Sequence, residues 1–75
     1  MCLGIPGRVV GWIEGQPELA QVDVAGRVRA IHVGLLAPDL PKIGDWIVIH
    51  SGFAMDRIDE ETAKRSLEFL TEYTA

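Results

Sequence analysis

Apolar and polar residues alternate along most of the chain, and this pattern predicts a series of short β-strands. The alternation is regular from Leu19 to Val24, and the Ala-Gly pair at 25–26 suits a tight hairpin turn. The segment WIVIH at 46–50 is apolar on both faces, which is typical of a central or covered strand. The predicted strands cover residues 8–14, 19–24, 27–33, 46–50 and 54–58.

The third predicted strand changes its apolar phase along its length. It begins with Arg27 and Arg29 on the outward side, which would place Val28 and Ala30 inward. From Ile31 onward the apolar residues fall on the other phase. Such a slip within one strand predicts a β-bulge near residue 30, of the kind that bends a strand at a barrel corner.

The pattern changes after Ile58, where Gly and Pro disappear and a helical period begins. Asp59 is a suitable N-cap, and pairs at i,i+4 join Glu60 to Lys64 and Glu61 to Arg65 in the favourable order. The stripe formed by the apolar helix residues either covers an open side of the barrel or docks a partner. Its members are Ala63, Leu67, Phe69, Leu70 and Tyr73.

These elements predict one mainly β domain over residues 1–75, because 75 residues are too few for two independent cores. Residues 1–7 form an N-terminal arm that carries Cys2, residues 8–58 form the barrel, and residues 59–75 form a single C-terminal α-helix. About five short strands and one helix favour a small, partly open OB-like β-barrel.

Composition disfavours several functions and locations. The net charge of −4 and the scattered basic residues argue against a nucleic-acid partner. No apolar run is long enough for a membrane span, and the N-terminus lacks the features of a signal peptide. One cysteine cannot form an internal disulfide, and one cysteine with two histidines cannot close a structural zinc site. We therefore expect a cytoplasmic protein whose thiol stays reduced.

Cys2 is the single cysteine and lies at the second position of the chain. Removal of the initiator methionine would place a free amine beside the thiol, and a neighbouring ammonium lowers a thiol's pKa. The alternative is a small apolar residue tucked beneath the barrel, but a chain terminus is a poor place to bury a side chain. The segment 4–7, Gly-Ile-Pro-Gly, resembles a hinge, so Cys2 is predicted to project on an arm with Leu3 and Ile5 as apolar anchors.

The two histidines differ in their positions on the predicted strands. His50 ends the strand 46–50, and a single histidine there is more often structural unless the fold brings it near Cys2. His32 falls on the polar side of its strand and is expected to be solvated.

The opening MCLGIPGRV resembles the N-terminal signature of the HypC/HupF family of [NiFe]-hydrogenase maturation chaperones. That signature has Met-Cys, then an aliphatic, a small and another aliphatic residue, then Pro, any residue and a basic residue. The segment 44–59, GDWIVIHSGFAMDRID, resembles the family's second block. The residues that match the first block are Cys2, Leu3, Gly4, Ile5, Pro6, Gly7 and Arg8.

The resemblance implies a chaperone that is not an enzyme. Members of the family bind the scaffold protein HypD and then the precursor of the hydrogenase large subunit, and they help to deliver the Fe(CN)2CO unit. By the resemblance, Cys2 is essential, His50 helps to hold the iron unit, and the partners bind the segment that contains Cys2, Leu3, Gly4, Ile5 and Pro6. The isolated protein is expected to hold no cofactor, and iron to be bound only transiently in the scaffold complex.

Two other functions remain open on the residues alone. Cys2 could be an N-terminal nucleophile activated by its own amine, although such hydrolases need a larger layered fold. An OB-type module that binds oligonucleotides is the other alternative, against which the acidic balance and the few aromatic residues both weigh.

Overall fold

Five β-strands form the body of the protein in a computed structural model that describes residues 4–65. A short 3-10 helix, Gly34–Leu36, lies at the start of the long loop 34–45 between the third and fourth strands, and residues 60–65 are helical. The strands are β1 Ile5–Ile13, β2 Gln16–Val24, β3 Arg27–His32, β4 Trp46–His50 and β5 Phe53–Ile58.

The strands close into a barrel in the order β1-β2-β3-β5-β4. Neighbours are antiparallel except β3 and β5, which run parallel and are joined by one residue pair, His32 with Phe53. This five-stranded arrangement confirms the prediction of a mainly β, OB-like barrel followed by a helix. A partly open barrel was expected, and the strands instead form a closed ring. The closure between β3 and β5 consists of a single residue pair.

The barrel interior is filled by small and β-branched side chains that project inward from the strands. The regular alternation of β2 is confirmed, since Ala20 and Val22 are fully buried. Leu36 and Leu40 pack against this core from the loop that follows β3. The core residues are Val9, Ala20, Val22, Ile31, Val33, Ile47, Ile49 and Ala54.

The prediction for β3 is wrong, because β3 keeps one phase throughout. Its pairing with β2 runs without a break from Val24–Arg27 to Leu19–His32, so there is no bulge near residue 30. Paired residues share a face of the sheet, which puts Arg27 on the inner face with Val24. Val28 lies on the outer face and is 60% exposed. The two-residue turn fixes this register, and the register outweighs the apolar character of Val28.

β1 begins at Ile5, so the predicted boundary between arm and barrel at residue 8 is wrong. Ile5 pairs with Ile49, and Gly7 pairs with Ile47. Each residue from Ile5 to Arg8 pairs with a residue of the apolar strand β4, so most of the Gly-Ile-Pro-Gly segment belongs to the sheet. The arm is therefore shorter than the sequence pattern indicates.

We call one end of the barrel the capped end, because the loop 34–45 covers it. Arg57 of β5 holds this loop through ion pairs with Asp39, Nη2 to Oδ2 at 3.1 Å, and Asp45, Nη1 to Oδ2 at 3.4 Å. The Arg57 guanidinium also donates to the backbone carbonyl of Asp39. Asp45 in turn accepts a hydrogen bond from the Lys42 backbone at 2.9 Å. One arginine thus ties the loop to the barrel wall.

The predicted start of the C-terminal helix is confirmed. Asp59 Oδ1 accepts a hydrogen bond from the Thr62 backbone N–H at 2.7 Å, as an N-cap does. Both predicted i,i+4 pairs form, Lys64 with Glu60 at 2.9 Å and Arg65 with Glu61 at 3.2 Å.

Ala63, the first member of the apolar stripe, is fully buried. The other members lie outside the described residues: Leu67, Phe69, Leu70 and Tyr73. Among residues 4–65, no helix has the length and apolar character needed to cross a bilayer.

Candidate functional site

The candidate site lies at the end of the barrel opposite the loop 34–45, which we call the open end. The start of β1, the turn at 25–26 and the turn at 51–52 meet there around a groove. The β1–β4 register runs unbroken from Arg8–Trp46 to Ile5–Ile49. One further step in the same register sets Gly4 opposite His50. The N-terminal motif and the strand-end histidine, far apart in sequence, therefore lie at the same end of the fold.

Gly4 brings the N-terminal segment close to β4. A Cβ atom at this position would overlap Val48 Cγ1 and lie 2.9 Å from the backbone oxygen of Ile49. Side chains do not tolerate such contacts, so this approach of the two backbones requires glycine. This close approach therefore explains why the signature has a small residue at position 4.

Cys2 and Leu3, two of the predicted site residues, lie outside the described residues. Cys2 precedes Gly4 by two residues in the sequence, and two residues of chain span at most about 7 Å.

His50 is exposed and ends β4 beside a tight turn. The Ser51 hydroxyl lies 3.3 Å from His50 Nδ1, within hydrogen-bond distance. Ser51 and Gly52 both have positive φ, 54° and 84°, which is the backbone of a type I′ hairpin. An accessible imidazole of this kind is a suitable ligand for a transition metal.

The structure separates two of the residues predicted to bind partners. Ile5 is 46% exposed at the open end, as a contact residue requires. Pro6 is less than 2% exposed, and its part in partner binding stays a prediction. Pro6 pairs with Val48 and lies beyond the last β1–β2 pair, Arg8–Asp23. The missing N–H of proline is therefore tolerated there.

His32 is not the freely solvated residue that its position in the sequence suggests. Its ring packs on Phe53 with centroids 5.1 Å apart, and its Nε2 lies 3.4 Å from Glu18 Oε1. Phe53 pairs in register with both His32 and His50, so the three side chains share the outer face. The parallel β3–β5 contact creates this row, and no local pattern in the sequence indicates it. Within residues 4–65, no three histidine, cysteine or acidic side chains are grouped so that they could hold a metal ion.

The chain is similar over most of its length to proteins of one known family. The model of the HupF/HypC family matches residues 1–70. The hydrogenase maturation factor HybG of Escherichia coli K12 is 42% identical over 72 residues, covering 93% of this chain and 88% of that protein. The hydrogenase maturation factor HypC of Rhodobacter capsulatus is 46% identical over 72 residues, covering 93% of this chain and 75% of that protein.

A more distant relative agrees with these two. The hydrogenase maturation factor HypC of Escherichia coli K12 is 36% identical over 74 residues, covering 93% of this chain and 79% of that protein. The family match and the relatives extend over the barrel and over the N-terminal motif that leads into it. The chain therefore belongs to the HupF/HypC family.

Proposed function

We propose that this protein is a hydrogenase maturation chaperone of the cytoplasm. In this role it binds a HypD-type scaffold protein and then the precursor of a [NiFe]-hydrogenase large subunit. Its cargo is the Fe(CN)2CO unit, which it accepts in one complex and releases in the other. The names of its relatives support the general role, and the open end supports the finer one.

The observation that carries the proposal is the approach of the N-terminal segment to the end of β4. Gly4 lies against Val48 and Ile49, and the β1–β4 register leads toward His50. The chain from Gly4 to Cys2 is short enough for the thiol to work at this end. A partner that binds the open end would meet the thiol and the imidazole together.

A thiolate and an imidazole suit the proposed cargo. Thiolate is a soft ligand that binds iron, and a neutral imidazole is a good second ligand. Two ligands leave other positions on the iron to its diatomic ligands and to the partner protein. Such an incomplete ligand set favours transfer over permanent storage, as a carrier requires.

The proposed function is tested by co-purification of the scaffold protein and the large-subunit precursor with this chain tagged after Ala75. Cys2→Ala should abolish both complexes while the melting temperature stays unchanged, because Cys2 precedes β1 in the sequence. Val28→Ala is the matched control, since Val28 is exposed on the barrel wall. If Cys2→Ala supports normal complexes and normal hydrogenase maturation, the proposal fails.

The position of a tag provides a second arm of this test. An added segment before Met1 removes the free amine beside the thiol and adds bulk where a partner must approach. Complementation of a strain lacking the protein should therefore fail with an N-terminal tag and succeed with a C-terminal one. Equal complementation by both tagged proteins would contradict the need for a free N-terminal cysteine.

A further inference from the structure

A groove of about 940 Å³ opens at the open end of the barrel, between β3 and the turn at 51–52. Its lining is mostly apolar, with a floor formed by inner-face residues of four strands. These residues are Ile5, Val24, Ile31 and Ile49. Arg27 and Arg29 stand at its rim on β3. His50 is not among the described residues that line the groove, so the groove is distinct from the imidazole proposed above to hold the cargo.

The edge of β3 that faces this groove is largely unpaired within the part of the chain that the structure describes. β3 pairs with β2 over its whole length, but its other side meets β5 only at His32. The N–H of His32 donates to Gly52 O, whereas the N–H of Val33 donates to Glu18 O on the β2 side. Backbone groups alternate along a strand, so Val28 and Ala30 direct their N–H and C=O away from β2. Within residues 4–65 these groups have no backbone partner.

Two arginines give the rim of the groove a positive charge. Arg27 and Arg29 are exposed, and neither forms an ion pair with any acidic side chain that the structure describes. Two unpaired cations beside one groove stand out in a chain of net charge −4. They favour a negatively charged ligand.

We propose that the β3 edge binds an extended acidic segment of a partner protein by β-strand addition. The partner backbone pairs with Val28 and Ala30, as in other cases where a peptide extends an open sheet edge. Alternate side chains of the added strand face the groove, so one apolar side chain reaches the floor while flanking carboxylates meet Arg27 and Arg29. This surface goes beyond the function proposed above, because it binds without the thiol or the cargo.

A peptide fits these features better than a nucleic acid does. An exposed strand edge offers hydrogen bonds at the spacing of another strand, and the groove floor is aliphatic. Single-stranded nucleic acids bind instead through stacked aromatic rings. No aromatic side chain of the described residues lines this groove.

Val28→Pro tests the edge directly. Proline removes the Val28 N–H, which points to the groove, and leaves the β2–β3 ladder intact because that ladder uses the alternate residues. Its ring also blocks an incoming strand. Val28→Ala is the matched control, since it keeps the N–H and removes only the exposed side chain. Arg29→Glu is the second variant, and it decides the question if Val28→Pro fails to fold.

The probe is the capped pentapeptide Glu-Thr-Val-Thr-Glu, which places both carboxylates and the valine on one face of a strand. Addition of this peptide to the full chain should shift the amide resonances of Val28 and Ala30 and slow their hydrogen exchange. Val28→Pro and Arg29→Glu should each weaken binding about tenfold or more. The control peptide Lys-Thr-Val-Thr-Lys should bind about tenfold more weakly than the acidic one. Cys2→Ala should bind as the unchanged chain does, so failure here is distinct from failure of the chaperone function.

Three results would overturn the proposal. Equal binding of the lysine peptide would remove the role of the arginines. Slow exchange of the Val28 and Ala30 amides without peptide would mean that another part of the chain, such as residues 1–3, already occupies the edge. Protection of the same amides by an oligothymidylate but not by the acidic peptide would assign the groove to nucleic acid.

Discussion

The capped end and the open end of the barrel are built from different interactions. At the capped end Arg57 bridges Asp39 and Asp45, and Leu36 and Leu40 pack against the core. At the open end the β3 edge is unpaired within residues 4–65 and the N-terminal segment approaches β4 through a glycine. At the capped end the charged side chains are paired with one another. At the open end the backbone groups of the β3 edge remain available to a partner within residues 4–65.

This difference teaches where a small barrel can place a function. A closed ring of five short strands leaves few residues that are not needed for the core. Stability is concentrated in the interior and the capped end, so the open end is free to present an imidazole and a groove. We therefore expect substitutions at the two ends to separate stability from partner binding.

The largest effect on stability is expected from the strand shared by both ends. Ile47 lies in the middle of β4 and is fully buried. Ile47→Ala should lower the free energy of unfolding by about 2–5 kcal/mol, because it leaves a cavity in the core. Urea denaturation followed by circular dichroism measures this loss. The exposed Val28→Ala should change the free energy of unfolding by less than about 0.5 kcal/mol. Similar losses for both would mean that the barrel interior does not dominate stability.

The same substitution at two glycines of one segment sharpens the comparison. A Cβ at Gly7 would lie 2.6 Å from Val22 Cγ1 and 2.7 Å from Ile49 Cδ1, inside the barrel. Gly7→Ala should lower the free energy of unfolding by about 1–3 kcal/mol through overpacking. Gly4→Ala should cost less, because the terminal segment can move away from β4, but it should displace Cys2 and weaken the scaffold complex. If Gly7→Ala and Gly4→Ala lowered stability equally and weakened co-purification equally, the distinction between the two positions would be wrong.

Arginines at the two ends provide a matched pair. Arg57→Ala removes both ion pairs that hold the loop 34–45 and should lower the free energy of unfolding by about 1 kcal/mol at low salt. High salt should reduce this difference because it screens partly exposed charges. Arg29→Ala should change the free energy of unfolding by less than about 0.5 kcal/mol at any salt concentration. Urea midpoints in low and high salt measure both, and a larger loss from Arg29→Ala would contradict the assignment of the ends.

The smallest effect concerns the helix start, which directly follows β5. Hydrogen bonds from the Thr62 side chain and then its backbone N–H hold the pKa of Asp59 below the ordinary aspartate value. Because this pKa is lowered, the cap contributes its full share to the stability of the fold above the unfolded-state pKa of about 3.9. This contribution is lost as the pH falls through the lower pKa of the folded state. The Thr62 amide resonance should report this titration, and Asp59→Asn should abolish it. A Thr62 shift that begins above pH 5 would contradict the lowered pKa.

Much of the fold follows from local patterns in the sequence. The alternation in β2, the apolar run of β4 and the cap at Asp59 depend on neighbouring residues, and each is confirmed. The start of β1 at Ile5 could not be predicted in this way. Its Gly-Ile-Pro-Gly segment has the local character of a loop, and pairing with the distant β4 makes it a strand.

β3 shows a different kind of failure, because its register was present in the sequence. A two-residue turn at 25–26 forces Val24 to pair with Arg27, and the inner face of β2 then places Arg29 inward as well. Residue type alone puts Val28 inside the barrel, and the structure shows it outside. The turn therefore predicts the register of β3 better than residue type does, and it places Arg27 and Arg29 on the inner face.

The candidate site was only partly accessible from the sequence. The family motif points to Cys2 and His50, but the reason for a glycine at position 4 appears only when β1 lies beside β4. The contact of His32 with Phe53 likewise depends on the parallel β3–β5 pair, which joins strands separated by the loop 34–45.

The central claim is that the open end holds the iron cargo through Cys2 and His50, and infrared spectroscopy of the scaffold complex tests it most directly. Cyanide and carbonyl ligands absorb infrared light at frequencies where proteins do not. The intensity of their bands therefore measures how much cargo each complex carries. His50→Ala should still associate with the scaffold but lose these bands, whereas His32→Ala, the matched histidine on the same outer face, should keep them. Bands of equal strength in the His50→Ala and unchanged complexes would contradict the account.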